Sequence, residues 1–332
     1  MFGHRLDCFI IAEIGINHMG NYKLAKEMIA TAFKAGANAA KLQIVNPDES
    51  YEKNTDSYKV FKKAYLEKNL INKLVDNFKN KGYVFATPGD ISSLNICVNS
   101  KMRLYKISSG LASNHFLVSQ IAKTNKPVIF STGLCDLFEI KKLIKMIRKF
   151  GGKKIGVLHC IPSYPANEDS LNLKIINKLI ELDKNITVGY SDHTKGWLAS
   201  NNAVAMGAKI IEKHYILNYD IQGADRKVSL DFKDFKEMVN NIRSTERMLG
   251  NKEIILNKKL LSMKANMIRY CVSNTLMNKG EKVMSNNVLF KRVKKYSNSF
   301  IKASDFSSIE NKKLKRKIHA GSIFKINHFF NK

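Results

Sequence analysis

A chain of 332 residues, 44% of them hydrophobic, can bury a large core and exceeds the usual size of one domain, so a large domain followed by a small one is expected. The formal net charge of +28 would suit nucleic acid, but the lysines fall in stretches such as EIKKLIKMIRKFGGKK, where they alternate with apolar residues at helix spacing and read as a solvated face. No nucleic-acid-binding motif accompanies them, so no nucleic-acid partner is expected, although the positive field would help to draw in anionic substrates. Five scattered cysteines without a CxxC pair exclude a disulfide framework and a zinc finger, and no apolar run approaches the roughly 20 residues that span a bilayer; a cytoplasmic protein with no membrane partner is expected.

From residue 8 onward, short β-branched apolar runs alternate with longer amphipathic stretches. Strands are expected at 8–14, 39–44, 83–87, 104–108, 127–131, 154–160, 187–191 and 209–215. Helices such as KLAKEMIATAFKAG and LKIINKLIELD lie between them, and several end in Gly. Eight such units predict a TIM (β/α)8 barrel, closed by a last helix over 232–250. A doubly wound open sheet fits less well, because no GxGxxG or Walker loop follows the first strand. The barrel domain is expected over 1–255, then a linker over 256–268. A small β-rich domain, marginal by itself, follows over 269–332.

In such a barrel the active site lies at the C-terminal ends of the strands. Here those ends carry Glu13; Lys41 and Gln43; Thr87; Lys106 with Ser109; Ser131 with Thr132; His159 and Cys160; Ser191, Asp192 and His193; and Glu212 with His214. One polar strand end is a cap or a satisfied core group; eight converging on one mouth point to an enzyme. Two lysines from different strands, with hydroxyls at Thr87, Ser109, Ser131 and Ser191, suit a phosphate and a carboxylate. A salt bridge explains any lone lysine, but these strands hold too few acids to pair them all. His193 and His214 end consecutive strands and suit an open divalent-metal site, with Asp192 and Glu212 placed to orient the imidazoles. Cys160, with no base assigned to activate it, reads as barrel lining.

With these residues in place, the chain resembles the sialic acid synthase (N-acetylneuraminate synthase) family and its legionaminic and pseudaminic acid synthase relatives. The matching stretches are AEIGINHMGN (12–21), KLQ (41–43), YKISSG (105–110), KPVIFSTGL (126–134), LHCIPSYPA (158–166), VGYSDHT (188–194), IIEKHY (210–215) and GADRKVSL (223–230). The tail resembles that family's C-terminal antifreeze-like (SAF) domain through IRYCVSNTLMNKGEKV, FKRV (290–293) and KKLKRKIHAGSIF. The resemblance implies metal-dependent condensation of phosphoenolpyruvate with an N-acylated amino-sugar aldehyde similar to N-acetylmannosamine. It implies that His193 and His214 hold Mn2+, with Mg2+ or Co2+ as other candidates. Lys41, Gln43, Thr87, Lys106, Ser109, Ser131 and Ser191 would cradle phosphoenolpyruvate, while Glu13, Tyr164 and Asp225 face the sugar, Glu13 with a part in proton traffic. Arg292 would reach the partner's barrel mouth in a domain-swapped homodimer. The sequence departs from the family's usual pattern at Gly89, Pro162 and Arg226, in a short 45–66 stretch, and in lacking a proline after the Lys-Arg pair of FKRV. Three alternatives stay open. One is the same chemistry on a 2,4-diacetamido sugar or a phosphorylated hexosamine; the others are a 3-deoxy-heptulosonate-type synthase and a non-catalytic carbohydrate-binding barrel.

Overall fold

The computed structural model describes residues 2, 7–251, 253–294 and 297–329. Eight parallel strands close into one barrel in sequence order: β1 (Phe9–Gly15), β2 (Ala39–Ile44), β3 (Tyr83–Pro88), β4 (Tyr105–Ile107), β5 (Val128–Ser131), β6 (Ile155–Cys160), β7 (Ile186–Asp192) and β8 (Ile210–His214). All eight lie close to their expected positions, because a strand buried on both faces must be a nearly continuous apolar run. β4 is the shortest, with only Tyr-Lys-Ile in the ladder.

The helix Leu137–Lys149 shows how the outer layer forms. Asp136 accepts from the Glu139 backbone N–H while the Glu139 side chain accepts from that of Asp136, a reciprocal cap that starts the helix. Ile140, Leu143, Ile144 and Ile147 recur at helical spacing and are buried; Lys141, Lys142, Lys145 and Lys149 are exposed. Burying each of the four apolar chains contributes about 1.5–3 kcal/mol. The basic charge in this segment therefore lies on a solvated face. Among the described residues, no helix is long and apolar enough to cross a membrane.

The chain divides into two compact units, Met1–Gly250 and Asn251–Lys332. The barrel unit has one continuous core, in which the strands pack against the helices. Within the second unit, the stretch expected as a linker contains a helix, Lys258–Met267. Antiparallel strands β9 (Tyr270–Ser273) and β10 (Val288–Lys291) follow, with isolated bridges such as Met277–Ile318 and Val272–Ile323. This unit has its own core around Cys271, Val283, Ile309, Leu314 and Phe324.

Barrel closure is tightest at Gly189 on β7. A Cβ there would lie 2.3 Å from the carbonyl oxygen of Ile210 on β8 and 2.6 Å from Leu158 Cδ2 on β6. The nearest obstacle is ladder backbone, which cannot swing aside. Gly189→Ala is therefore expected to destabilise the barrel by about 2–3 kcal/mol in urea unfolding, and an unchanged midpoint would contradict this packing.

Candidate active site at the barrel mouth

Successive strand residues face opposite sides of a sheet, and this alternation decides which strand ends reach the barrel interior. Glu13, Lys41, Gln43, Lys106, Ser131, Cys160, Ser191, Glu212 and His214 all line one cavity of about 240 Å3. Ser109, Tyr164 and His193, from the segments just after β4, β6 and β7, line it as well. Thr87 joins the group through Lys41, whose Nζ donates to Thr87 Oγ1 at 3.1 Å. His159 and Asp192, expected among the converging ends, are out of phase and lie elsewhere. His159 Nε2 sits 2.6 Å from the Leu171 carbonyl oxygen, and Asp192 accepts from Ser200 Oγ at 2.6 Å, in the helix Leu198–Ala205.

The lysines do not stand unpaired, contrary to the expectation from the strand sequences. Lys41 Nζ lies 2.8 Å from Glu13 Oε2 and 3.6 Å from Glu212 Oε2, while Lys106 Nζ lies 3.5 Å from Glu212 Oε1. Glu212, expected to orient an imidazole, is instead the counter-ion shared by the two lysines. The available signal was its position two residues before His214, which puts both on the same face of β8. The strand register sets Glu13 opposite both Lys41 and His214, and Ser191 opposite Glu212. Lys106 Nζ also donates to Ser131 Oγ at 2.6 Å, Ser191 Oγ to Glu212 Oε1 at 3.1 Å, and Gln43 Nε2 to Glu13 Oε1 at 3.2 Å.

These four buried charges tune one another. Burial and the neighbouring Glu212 push Glu13 up to about 7 against the pull of Lys41, so it can exchange a proton near neutrality. Burial also works against ionised Glu212, yet Lys106 and Lys41 outweigh it and hold this carboxyl below its usual range. For Lys41, burial is likewise outweighed by its two carboxylate neighbours, which raise it; for Lys106 burial prevails and lowers it.

The two histidines meet as expected, with ring centroids 5.4 Å apart. His193 Nδ1 lies 2.8 Å from the Ile161 carbonyl oxygen and so carries the proton, which leaves Nε2 to accept from the Tyr164 hydroxyl at 2.9 Å. Tyr164 stacks on the same ring at a centroid distance of 4.1 Å. His214 Nδ1 is buried without a hydrogen-bond partner, although Asp225 Oδ2 stands 3.4 Å away. Burial lowers both imidazoles, His214 strongly, and so keeps them in the neutral form that a metal requires. An unprotonated Nε2 at His193 and an orphaned nitrogen at His214 fit a divalent ion. Among the described residues, no group of three or more His, Cys, Asp or Glu forms a ligand cluster. Two imidazoles alone would leave the other positions of such an ion to water and substrate oxygen.

Neither Asp192 nor Glu212 orients an imidazole directly, as had been expected. The Ile161 carbonyl performs that task for His193, and Asp225 is the group beside His214. Asn17, unremarked in the sequence, fixes Asp225: its Oδ1 accepts the Asp225 backbone N–H at 3.0 Å, and its Nδ2 donates to the Tyr215 carbonyl and to Ser229 Oγ. Burial raises Asp225 to about 6, against the pull of Lys41. Cys160 does have a base nearby, since its Sγ lies 3.7 Å from His193 Nδ1. That nitrogen is committed to Ile161, however, and burial raises the thiol, so Cys160 remains lining. Arg292 lies in the second unit, exposed, directly after β10.

Fold and mouth together define a (β/α)8 barrel of the sialic-acid-synthase-like class. The chain belongs to the NeuB family, whose sequence profile matches residues 28–254. It is 31% identical over 345 residues to the N,N'-diacetyllegionaminic acid synthase of Legionella pneumophila, covering 96% of this chain and 94% of that one. The pseudaminic acid synthase of Campylobacter jejuni is 33% identical over 296 residues, covering 84% and 85%. Among solved structures, the N-acetylneuraminic acid synthetase of Leptospira borgpetersenii superposes with a TM-score of 0.75 at 32% identity, covering 80% of this chain and 94% of that one.

Behind the imidazoles lies a buried ion pair. Lys213 Nζ is 3.3 Å from Asp192 Oδ1 and donates to the Thr194 carbonyl at 2.6 Å; Thr194 donates back to Asp192 through its backbone N–H and its hydroxyl. Both charged side chains are fully buried, and the ring of bonds pins the turn that carries His193. Lys213→Met would leave the Asp192 carboxylate without its cation. The expected cost is about 3 kcal/mol in chemical unfolding, and a change below about 0.5 kcal/mol would refute the pairing.

Proposed function

We propose that this protein is a nonulosonic acid synthase, which condenses phosphoenolpyruvate with the aldehyde of an N-acylated amino sugar and releases inorganic phosphate. The observation that carries this reading is the pair of buried lysines, from β2 and β4, set in a mouth with hydroxyl donors and two neutral imidazoles. Family membership supports the same chemistry. Lys41 and Lys106, with Thr87, Ser109, Ser131 and Ser191, would bind the phosphate and carboxylate of phosphoenolpyruvate, as point charges and directed donors respectively.

His193 Nε2 and His214 would hold a divalent ion, which supplies Lewis-acid polarisation of the acceptor's aldehyde oxygen. Tyr164, which now donates to His193 Nε2, would give up that bond to the ion and turn toward the sugar. The cradle would hold carbon 3 of phosphoenolpyruvate against the aldehyde carbon, where the new C–C bond forms and the aldehyde oxygen takes a proton. Water then adds to carbon 2, and the C–O bond to phosphate breaks. Glu13, poised near 7 and 2.8 Å from Lys41, is placed to move the protons of these steps. Gln43 would complete the phosphoenolpyruvate cradle, and Asp225 with Tyr164 would position the sugar.

The reading extends to the second unit as an SAF-type domain and to a two-fold dimer, in which Arg292 of one copy donates to the acylamino group bound at the partner's mouth. Large apolar side chains after β5, Leu134 in the loop and Phe138 in the first turn of the helix Leu137–Lys149, are 65% and 74% exposed, a surface suited to such a cover. A 2,4-diacetamido acceptor would use the same machinery.

The test incubates purified protein with phosphoenolpyruvate, Mn2+ and a panel of amino-sugar aldehydes, and follows phosphate release. Release should require the aldehyde, stop in EDTA and return with added Mn2+. Full activity in chelator would contradict the metal assignment. Absence of release with every aldehyde would contradict the synthase reading.

A further inference from the structure

A cavity of about 300 Å3 lies beside β6, between the N-terminal turns of two helices, Leu137–Lys149 and Ile175–Leu182. Its size falls at the lower end of the range of roughly 300–1,000 Å3 for sites that hold one small ligand. Leu137, Ile140, Ile161, Ile175 and Leu179 form most of its walls.

Polar groups break this apolar lining at definite places. Lys178 is exposed, makes no ion pair among the described residues, and is the one lining side chain that carries a full charge. The positive ends of both helix dipoles lie on the same side. Asp136 and Glu139 are held in the cap of the first helix and do not line the cavity. His159 does line it, at 3% exposure. Its Nε2, 2.6 Å from the Leu171 carbonyl oxygen, carries the proton; Nδ1 is then an acceptor without a hydrogen bond among the described residues. Burial lowers this imidazole, which stays neutral. A buried acceptor left unpaired costs free energy until a donor reaches it.

The cavity also borders the proposed phosphoenolpyruvate cradle. Thr132 and Gly133, in its wall, directly follow Ser131, which lines the mouth. Gly133 N–H donates to Ser109 Oγ at 3.1 Å. A Cβ on Gly133 would lie 2.9 Å from that oxygen, 3.0 Å from Pro162 Cδ and 3.1 Å from the Cys160 carbonyl oxygen. The turn is therefore clamped against mouth residues, while the cavity leaves it unsupported on another side.

We propose that this cavity is an effector site for a small carboxylic acid with an apolar body and one hydroxyl or N–H donor, and that its occupancy strengthens phosphoenolpyruvate binding. The carboxylate faces Lys178 and the helix N-terminal turns, the body fills the aliphatic walls, and the donor satisfies His159 Nδ1. A ligand there backs the turn at Thr132 and Gly133, so less order remains to be gained when Ser109 and Ser131 close on phosphoenolpyruvate. The coupling rests on the synthase reading above; the site itself does not.

The experiment uses 4-hydroxyphenylacetate as probe on the full chain, with 4-hydroxybenzyl alcohol, which lacks the carboxylate, as control. Cys135 lines the cavity and is the one of the five cysteines that is not buried, so its alkylation by iodoacetamide, followed by mass spectrometry, reports occupancy at this place. The probe should slow that alkylation more than the alcohol does. Lys178→Glu, a change at an exposed position, should weaken the protection by about threefold or more. In calorimetry, saturating probe should lower the Kd for phosphoenolpyruvate by about fivefold, and Lys178→Glu should abolish the effect. Unprotected Cys135, or protection equal in Lys178→Glu, would overturn the site. Competition between probe and phosphoenolpyruvate, or an unchanged Kd, would overturn the effector role. If the wild type binds no phosphoenolpyruvate, the synthase reading fails by itself, and the protection of Cys135 still decides the site.

Discussion

The structure turns on a buried cluster of four charges, Lys41, Glu13, Glu212 and Lys106, set on strands that become neighbours only when the barrel closes. Burying any one of these ions alone would cost several kcal/mol. Their alternating signs and short spacings, together with the Thr87 and Ser131 hydroxyls that accept from the lysines and the Ser191 hydroxyl that donates to Glu212, offset much of that cost. The balance also prepares chemistry. Two cations are held dry, where their attraction for an incoming anion is far stronger than in water. One carboxyl, Glu13, is pushed up to about 7 by burial and by Glu212, with which it shares Lys41.

The rest of the barrel unit serves to hold that cluster and the adjacent imidazoles at fixed distances. Strands β7 and β8 supply a second buried ion pair, Asp192–Lys213, on the outward face of the same strand ends, so the turn bearing His193 is braced from behind. Asn17 does the corresponding work for Asp225 on the far side of His214. Gly15, at φ +54°, lets the chain leave β1 with both Glu13 Oε1 and Asp225 Oδ2 only 3.2 Å from where a Cβ would stand. The result is a mouth with a cationic half at β2 to β5, a half with two neutral imidazoles at β7 and β8, and an acid-walled lobe beside the β2 side.

Much of the barrel was legible in the sequence for a physical reason. Strands buried on both faces are short unbroken apolar runs, and the helices between them carry lysines only on the solvated side, so the two patterns separate cleanly. The polar strand ends were legible for the same reason, being anomalies in apolar runs. What could not be read was which way each pointed and what it paired with. His159 and Asp192 differ from Cys160 and His193 by one residue of phase, and that phase is set by barrel closure. The pairing of Lys41 with Glu13 and Glu212 joins β2 to β1 and β8, a closure contact that no local window contains. Cys160 and His193 likewise came together only in space. Among the described residues of the second unit only β9 and β10 form a regular ladder, and much of the remaining pairing is single bridges, which leave weak periodicity to read.

The central claim is that the buried lysines form a binding site for phosphoenolpyruvate rather than a structural salt-bridge network. Isothermal titration calorimetry of phosphoenolpyruvate into the wild type and Lys106→Met tests it most directly, with unfolding midpoints recorded to show that both are folded. A charge-assisted contact is worth about 1.5–3 kcal/mol, so Kd should rise by about tenfold or more in the variant. Equal affinity in a folded Lys106→Met protein would contradict the account.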